Sequence, residues 1–196
     1  MKPLIQSTDQ TLGSSKGLIQ VICYGDYLDP GSREMHFTMS QLLSAFAGKL
    51  RYAFRPFPQP LRHPCALLVA RAVEAAGRQG YYWPMHYALF RYRGNIDLDR
   101  LYDLACALGL DLEAFHRDLE DQALSGQLLA AVEAGRGYGV EAAPALFFNG
   151  ERQYTTALWH LQELLERQLT ALQRRRVAGT VNPRVGTVFR GHWPEL

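Results

Sequence analysis

The feature that most constrains the fold is a succession of strand, helix and strand over residues 18–57. Residues 18–24, LIQVICY, are mostly apolar and stand between two glycines, which predicts a buried strand. Apolar side chains then recur at helical spacing over about residues 30–46, with a glycine just beyond, and predict an amphipathic helix. Residues 50–57, LRYAFRPF, alternate apolar and polar side chains and predict a second strand. The order predicts a βαβ unit at the start of an α/β domain.

The rest of the chain predicts a helical block followed by a hairpin and a last helix. CALLVARAVEAAG, residues 65–77, is an apolar helical stretch with Gly77 expected past its end. Asp97, Asp111 and Ser125 are suited to cap three further helices. Asn149-Gly150 then joins two short predicted strands in APALFFNGERQY, which is a strong hairpin signal. The whole predicts a mixed sheet with helices on its faces and an inserted helical block at about residues 62–138.

Composition limits the classes of function. The chain has 196 residues, 47% hydrophobic and 20% charged, with a net charge of +2, which suits one globular domain without a concentrated basic face. Nucleic acid is therefore not an expected partner. An uninterrupted apolar run of about 18 residues is missing, and so is the apolar core of a signal peptide, so we expect no membrane association and a cytoplasmic location.

Three cysteines lie far apart, at Cys23, Cys65 and Cys106. Such a scattered, odd set favours reduced thiols over a disulfide framework and predicts neither a zinc site nor another metal site. We expect Cys23 and Cys106 to be buried as small apolar side chains. Cys65 follows a His-Pro pair and stands in the predicted first turn of a helix, so it is the thiol most worth testing, although a packed side chain is the simpler expectation. No cofactor is expected.

The chain ends, residues 1–16 and 173–196, differ in character from the domain predicted over 17–172. The first is a polar arm. The last carries five arginines among valine, phenylalanine and tryptophan side chains, so it is both basic and apolar. It is too apolar for a disordered charged tail, and we expect it to pack on the domain or on a second subunit of a homo-oligomer.

Several stretches resemble the DsbA-like branch of the thioredoxin superfamily, in order and spacing. TLGSSKGLIQVICYGDY is similar to the family's first strand and its approach to the active site. PFPQPLRHP and YYWPMHYALF resemble the start of its helical insertion, and LDLEAFHRDLED followed by GVEAAPALFFNGE resembles the end of that insertion and the hairpin. The resemblance covers residues 8–170 and implies a thioredoxin-like fold of a thiol-disulfide oxidoreductase family, with similarity to thioredoxin-like domains fused to some transporters.

The same resemblance implies two chemical features, of which one is present. Pro144, preceded by Ala143, matches the family's cis proline before the hairpin, where an extended peptide or thiol ligand pairs with the preceding backbone. The family's two cysteines fall at Asp29 and Ser32 of the motif Asp29-Pro30-Gly31-Ser32. A carboxylate and a hydroxyl cannot replace the thiolate and the resolving thiol of disulfide exchange. The resemblance therefore implies the fold without the family's central reaction.

Three hypotheses follow for this degenerate motif. The first is a redox-inactive cleft, formed by Asp29, Ser32, His36, Ala143 and Pro144, that binds a peptide or a small thiol such as glutathione. Asp29 suits the helix N-cap and Pro30 the first helical position, so the carboxylate would take the electrostatic place of the thiolate, or serve as a plain cap. The second is thiol-disulfide chemistry through a remaining cysteine. The third is a glutathione-dependent transferase or isomerase, in which Ser32 and His36 could share a helix face as a catalytic pair.

Overall fold

The computed structural model describes residues 2–180, with side chains as far as residue 174. After a short additional first strand, the order of elements is the predicted one: β-α-β, a block of helices, then β-β-α. The elements are β1 (Thr11–Gly13), β2 (Ile19–Gly25), α1 (Pro30–Ala45), β3 (Leu50–Pro56), α2 (Ala66–Arg78), α3 (Tyr82–Arg91), α4 (Leu98–Ala107), α5 (Leu112–Glu120), α6 (Gln122–Gly137), β4 (Ala145–Phe148), β5 (Glu151–Gln153) and α7 (Leu158–Thr180). The α/β fold with an inserted helical block is confirmed.

The described residues form one sheet of five strands in the order β1-β3-β2-β4-β5. β2 and β3 are parallel, as the βαβ unit requires, and the other neighbouring pairs are antiparallel. Central strand β2 is buried on both faces: Val21 and Cys23 face one core, Ile22 and Tyr24 the other. A strand that is covered on both faces does not alternate apolar and polar residues, which explains the mostly apolar run of residues 18–24.

The larger core lies on the face of the sheet covered by α1, α7 and the helical block. Met35, Met39 and Leu42 present one apolar face of α1 to it, and Leu161, Leu165 and Leu169 do the same from α7. Both triplets follow helical spacing, so each helix turns one stripe inward. The result places the N-terminus of α1 at the end of β2, where the altered motif lies.

The hairpin joins β4 and β5 through Asn149 and Gly150, with φ of 49° and 80°. Both values are in the left-handed region that Asn-Gly turns supply at low cost. Asp97 and Asp111 cap α4 and α5, each side chain accepting a backbone N–H, as predicted.

Three local predictions were wrong or incomplete. α6 begins at Gln122 with Asp121 as its cap, so Ser125 is an interior residue. Gly77 lies inside α2, where a Cβ would be 3.3 Å from the Tyr82 ring, and the left-handed glycine of this turn is Gly80, with φ of 82°. The polar N-terminal arm contributes β1, a short edge strand paired with β3.

Helix α7 continues past residue 172 to Thr180. The predicted packing of the tail on the domain or on a second subunit concerns side chains that lie outside the described residues. Among the helices of residues 2–180, none has both the length and the apolar character needed to span a membrane.

Candidate functional site

The altered motif forms the first turn of α1. Pro30 is the first helical residue, and Asp29 is the N-cap in extended conformation, with φ of −85° and ψ of 126°. One carboxylate oxygen of Asp29, Oδ2, accepts the Ser32 backbone N–H at 2.6 Å and the Ser32 hydroxyl at 2.9 Å. The carboxylate therefore occupies the place at the helix N-terminus where unpaired amides and the helix dipole favour an anion.

Pro144 packs directly against this turn. A Cβ built on Gly31 would lie 3.2 Å from Asp29 Oδ2 and 3.2 Å from the Pro144 side chain. Glycine thus lets the helix start and the proline loop approach each other closely. The Ala143–Pro144 peptide bond is cis. The structure brings together Asp29 and Pro144, two residues of the predicted cleft, on either side of Gly31.

Ser32 has no free hydroxyl to offer a substrate. Its side chain is 1% exposed; Oγ donates to Asp29 and accepts the backbone N–H of Asp26 at 3.1 Å. The predicted Ser32–His36 pair does not form, since these bonds turn the hydroxyl toward the helix start. The observation argues against a serine-based transferase or isomerase at this position.

His36 points into the protein interior and is 5% exposed. Its Nδ1 lies 3.1 Å from Nε2 of His86, whose Nδ1 lies 3.0 Å from the Tyr27 hydroxyl. The ring of His36 also stacks on Phe90, with 4.8 Å between ring centres. Among the hydrogen bonds of the described residues, none links His36 to Asp29, Ser32 or Pro144. His36 is therefore part of a buried relay, the hydrogen-bonded chain of Tyr27, His86 and His36. The sequence had assigned His36 to the ligand cleft.

Burial controls the protonation of this relay. Desolvation, followed by the positive charge of Arg91, lowers the pKa of His36 from 6.5 to about 4. Burial and the neighbouring His36 hold the pKa of His86 well below its ordinary value. Both imidazoles are therefore neutral at pH 7, and each can donate one hydrogen bond and accept another.

Asp26 is the site residue that sequence reasoning missed. Its side chain is 1% exposed and accepts three hydrogen bonds, from the backbone of Leu28 at 2.9 Å, from the backbone of Gln59 at 3.0 Å and from Nδ1 of His63 at 3.0 Å. The carboxylate fastens the loop after β3 to the end of β2, next to the motif. The signal in the sequence is an aspartate that directly follows a buried strand, where an unpaired charge would be costly.

The three thiols are free and do not lie in the motif. Cys23 is buried in β2, as predicted, and burial raises the pKa of its thiol to about 12, which suppresses the thiolate. The prediction for Cys106 was wrong: the residue is exposed on α4. Cys65 is exposed as the residue before α2, two positions after His63, instead of packed.

The described part of the chain contains no set of side chains suited to bind a metal ion. Within it, no three His, Cys, Asp or Glu side chains are grouped so that they could hold a metal ion.

Comparison with protein families gives a match to a family described as Thioredoxin over residues 6–167. Among curated proteins, the Na(+)/H(+) antiporter NhaA 1 of Mycolicibacterium gilvum is 30% identical over 156 residues, which are 78% of this chain and 25% of the antiporter. The antiporter NhaA of Nitrosospira multiformis is 30% identical over 173 residues, 87% of this chain and 27% of its own length. The chain spans about a quarter of the length of these curated relatives.

Solved structures share the fold at low identity. A thioredoxin-like oxidoreductase from Silicibacter pomeroyi has a TM-score of 0.74 at 23% identity, with 84% of this chain and 94% of that chain covered. The α-DsbA1 protein of Wolbachia pipientis has a TM-score of 0.78 at 19% identity, with coverage of 88% and 96%. BdbD from Bacillus subtilis has a TM-score of 0.73 at 18% identity, with coverage of 83% and 93%.

Proposed function

The chain belongs to the Thioredoxin family, and from that premise we propose that it is a DsbA-like member that binds a ligand without dithiol chemistry. The ligand is an extended peptide or a small thiol such as glutathione, held at Asp29 and at the backbone of Ala143 and Pro144. One observation carries the proposal. The Asp29 carboxylate accepts both the Ser32 amide and the Ser32 hydroxyl, in the place where exchange chemistry needs a thiolate.

The loss of exchange follows from the chemistry of the two replaced positions. Disulfide exchange proceeds through a mixed disulfide, which requires sulfur at the attacking position and a second thiol to resolve it. Asp29 offers only carboxylate oxygens, and the Ser32 hydroxyl is buried and bonded on both sides.

The retention of a ligand site is supported by the backbone before β4. Within the described residues, the N–H and C=O groups of Ala143 form no hydrogen bond, although the residue is only 9% exposed. Each residue's backbone carries one donor and one acceptor, and both are therefore available here for pairing with another chain. An extended segment lying along residues 142–144 would pair with them in the manner of an added β-strand.

An insulin-reduction assay tests the loss of exchange. We expect no activity from the natural chain and measurable activity from the Asp29→Cys, Ser32→Cys double variant, because the helix N-terminus and Pro144 are already in place. Activity of the natural chain would refute the redox-inactive assignment.

Binding is tested separately on the natural chain by NMR titration with glutathione and with a library of extended peptides. We expect the amide signals of residues 142, 143 and 145 to shift on saturation. The control is Pro144→Ala, which alters the cleft while leaving Asp29 in place. If neither probe shifts these signals, the binding proposal fails even where the insulin result stands.

Single-thiol chemistry at Cys65 is the second candidate, favoured by the exposure of this thiol just before α2. Alkylation at neutral pH followed by mass spectrometry decides: labelling of Cys65 no faster than that of exposed Cys106 argues against it.

A further inference from the structure

A cavity of about 270 Å³ lies away from the motif between the N-terminal arm, α6 and the ends of β2 and β3. We call it the arm cavity. Asp29, Ser32, Ala143 and Pro144 do not line it. Its walls include Asp9 of the arm, Tyr24, Phe54, Tyr82 and Leu128, with Glu74 of α2 among them.

Glu74 is a carboxylate without a partner. Within the described residues it takes part in no hydrogen bond and no ion pair, although most of its surface is covered. Arg55, the cationic group in the wall, is already committed: it forms two hydrogen bonds to Asp9, at 2.9 and 2.7 Å, and one to the Tyr24 hydroxyl at 2.8 Å. The charges of Arg55 and Asp9 cancel, so Glu74 gives the cavity a net negative charge when its carboxyl group is ionised.

The remaining walls suit the body of an organic cation. The faces of tyrosine and phenylalanine rings attract ammonium and guanidinium groups, and the effect grows when water is excluded. Leu128 and the neighbouring alanines of α6 add apolar surface, while glutamines of the arm and α6 offer amide oxygens. Ligand sites commonly combine such apolar walls with a few polar groups and one charge.

We propose that the arm cavity binds a small organic cation, an alkylammonium or alkylguanidinium group, with Glu74 as its counterion. The cation is either a free amine or the side chain of a lysine or arginine on another protein. Both sources present the same charged head on an apolar stem, and the cavity volume accommodates such a side chain. The inference is independent of the function proposed for the motif.

Binding should depend on pH. Burial, opposed by the charge of Arg78 and reinforced by that of Asp9, raises the pKa of Glu74 from 4.5 to about 7. Tyr82 of α3 and Tyr24 of β2 also face the cavity and have raised pKa values, so both stay neutral. Because only the ionised carboxylate attracts a cation, we expect affinity to fall about tenfold from pH 8 to pH 6.

The test is calorimetric or NMR titration of the full chain with agmatine and cadaverine at pH 8, beside neutral 1-pentanol and the capped amino acid N-acetyl-lysine amide. We expect saturable binding of the cations and none of the alcohol. Tighter binding of the lysine amide than of cadaverine would assign a protein side chain as the source; the reverse would assign a free amine.

Two variants separate the site from general effects of charge. Glu74→Gln should weaken cation binding at least about tenfold and abolish its pH dependence. Glu133→Gln, on the exposed face of α6 and paired with Arg136, makes the same charge change and should leave binding unaltered. Ala131→Trp, at an exposed position in the cavity wall, should block entry without disturbing the core. Equal binding by the natural chain and Glu74→Gln, equal binding of 1-pentanol, or no saturable binding of any cation would overturn the proposal.

Discussion

Replacing His36 by glutamine should remove a specific part of the protein's acid sensitivity. In the folded chain the pKa of His36 is lowered from 6.5 to about 4, so the unfolded state binds a proton first as the pH falls. By linkage, the stability contributed by the neutral imidazole is complete above pH 6.5 and is lost progressively down to about pH 4. His36→Gln keeps a hydrogen-bonding side chain beside His86 but cannot titrate.

The size of the effect follows from the shift. At about 1.36 kcal/mol per pKa unit, the difference between 6.5 and 4 corresponds to ~3.4 kcal/mol. Exposed Arg91 supplies part of the shift, and solvent screens its charge, so we expect about half, or ~1.7 kcal/mol. Glu74 acts in the opposite direction over the same range, because its raised pKa makes the folded state the better proton acceptor. The natural chain alone can therefore show a flat profile.

The assay is urea unfolding of the natural chain and of His36→Gln at several pH values between 7.5 and 4. The quantity of interest is the difference between the two free energies of unfolding, in which the contribution of Glu74 cancels. The variant should gain on the natural chain as the pH falls, by about 1.7 kcal/mol over the range. A difference between the two proteins that stays constant with pH would refute the reasoning.

Three further substitutions test the site. Asp26→Ala should lower the free energy of unfolding by about 3 kcal/mol, because it strands two backbone amides and His63; a loss under 1 kcal/mol in urea unfolding would contradict the role given to Asp26. Asp29→Ala should lower the free energy of unfolding by about 1 kcal/mol, because the cap of α1 is lost. The loss should be slightly larger than for Asp111→Ala, since the Asp111 carboxylate accepts an amide but no hydroxyl. Equal losses in urea unfolding would argue against the hydrogen bond from the Ser32 hydroxyl. Glu74→Gln should raise stability by about 1–2 kcal/mol at pH 8, where the natural carboxyl is ionised, and by little at pH 4; thermal unfolding at both pH values measures the difference, and an equal gain at both would contradict the raised pKa.

Much of the fold could be predicted because it depends on short-range patterns. The run of residues 18–24, the helical spacing that follows and the Asn149-Gly150 turn each signal one element within a few residues. The cap of α6 was missed because Asp121 is both the C-cap of α5 and the N-cap of α6, so no loop separates the two helices in the sequence. Cys106 was predicted to be buried but is exposed, because it lies one residue beyond the buried face of α4. α4 turns Leu101 and Ala105 inward, and one residue further along a helix points about 100° away.

The site was predicted only where it is local. Asp29, Pro30 and Ser32 belong to one helical turn, and their cap geometry follows from residue type. The bonds from Asp26 to His63 and from His36 to His86 join residues 37 and 50 positions apart, so no spacing rule could find them. Packing of the helical block against the sheet brings these pairs together.

The buried carboxylate of Asp26 holds the backbone beside the motif through hydrogen bonds that do not involve Asp29. It anchors two peptide N–H groups and an imidazole from beneath, while the chain's own amide at position 26 reaches Ser32. These contacts position the loop after β3 whichever side chain stands at position 29. We therefore expect the three hydrogen bonds of the Asp26 carboxylate to persist when cysteines replace Asp29 and Ser32.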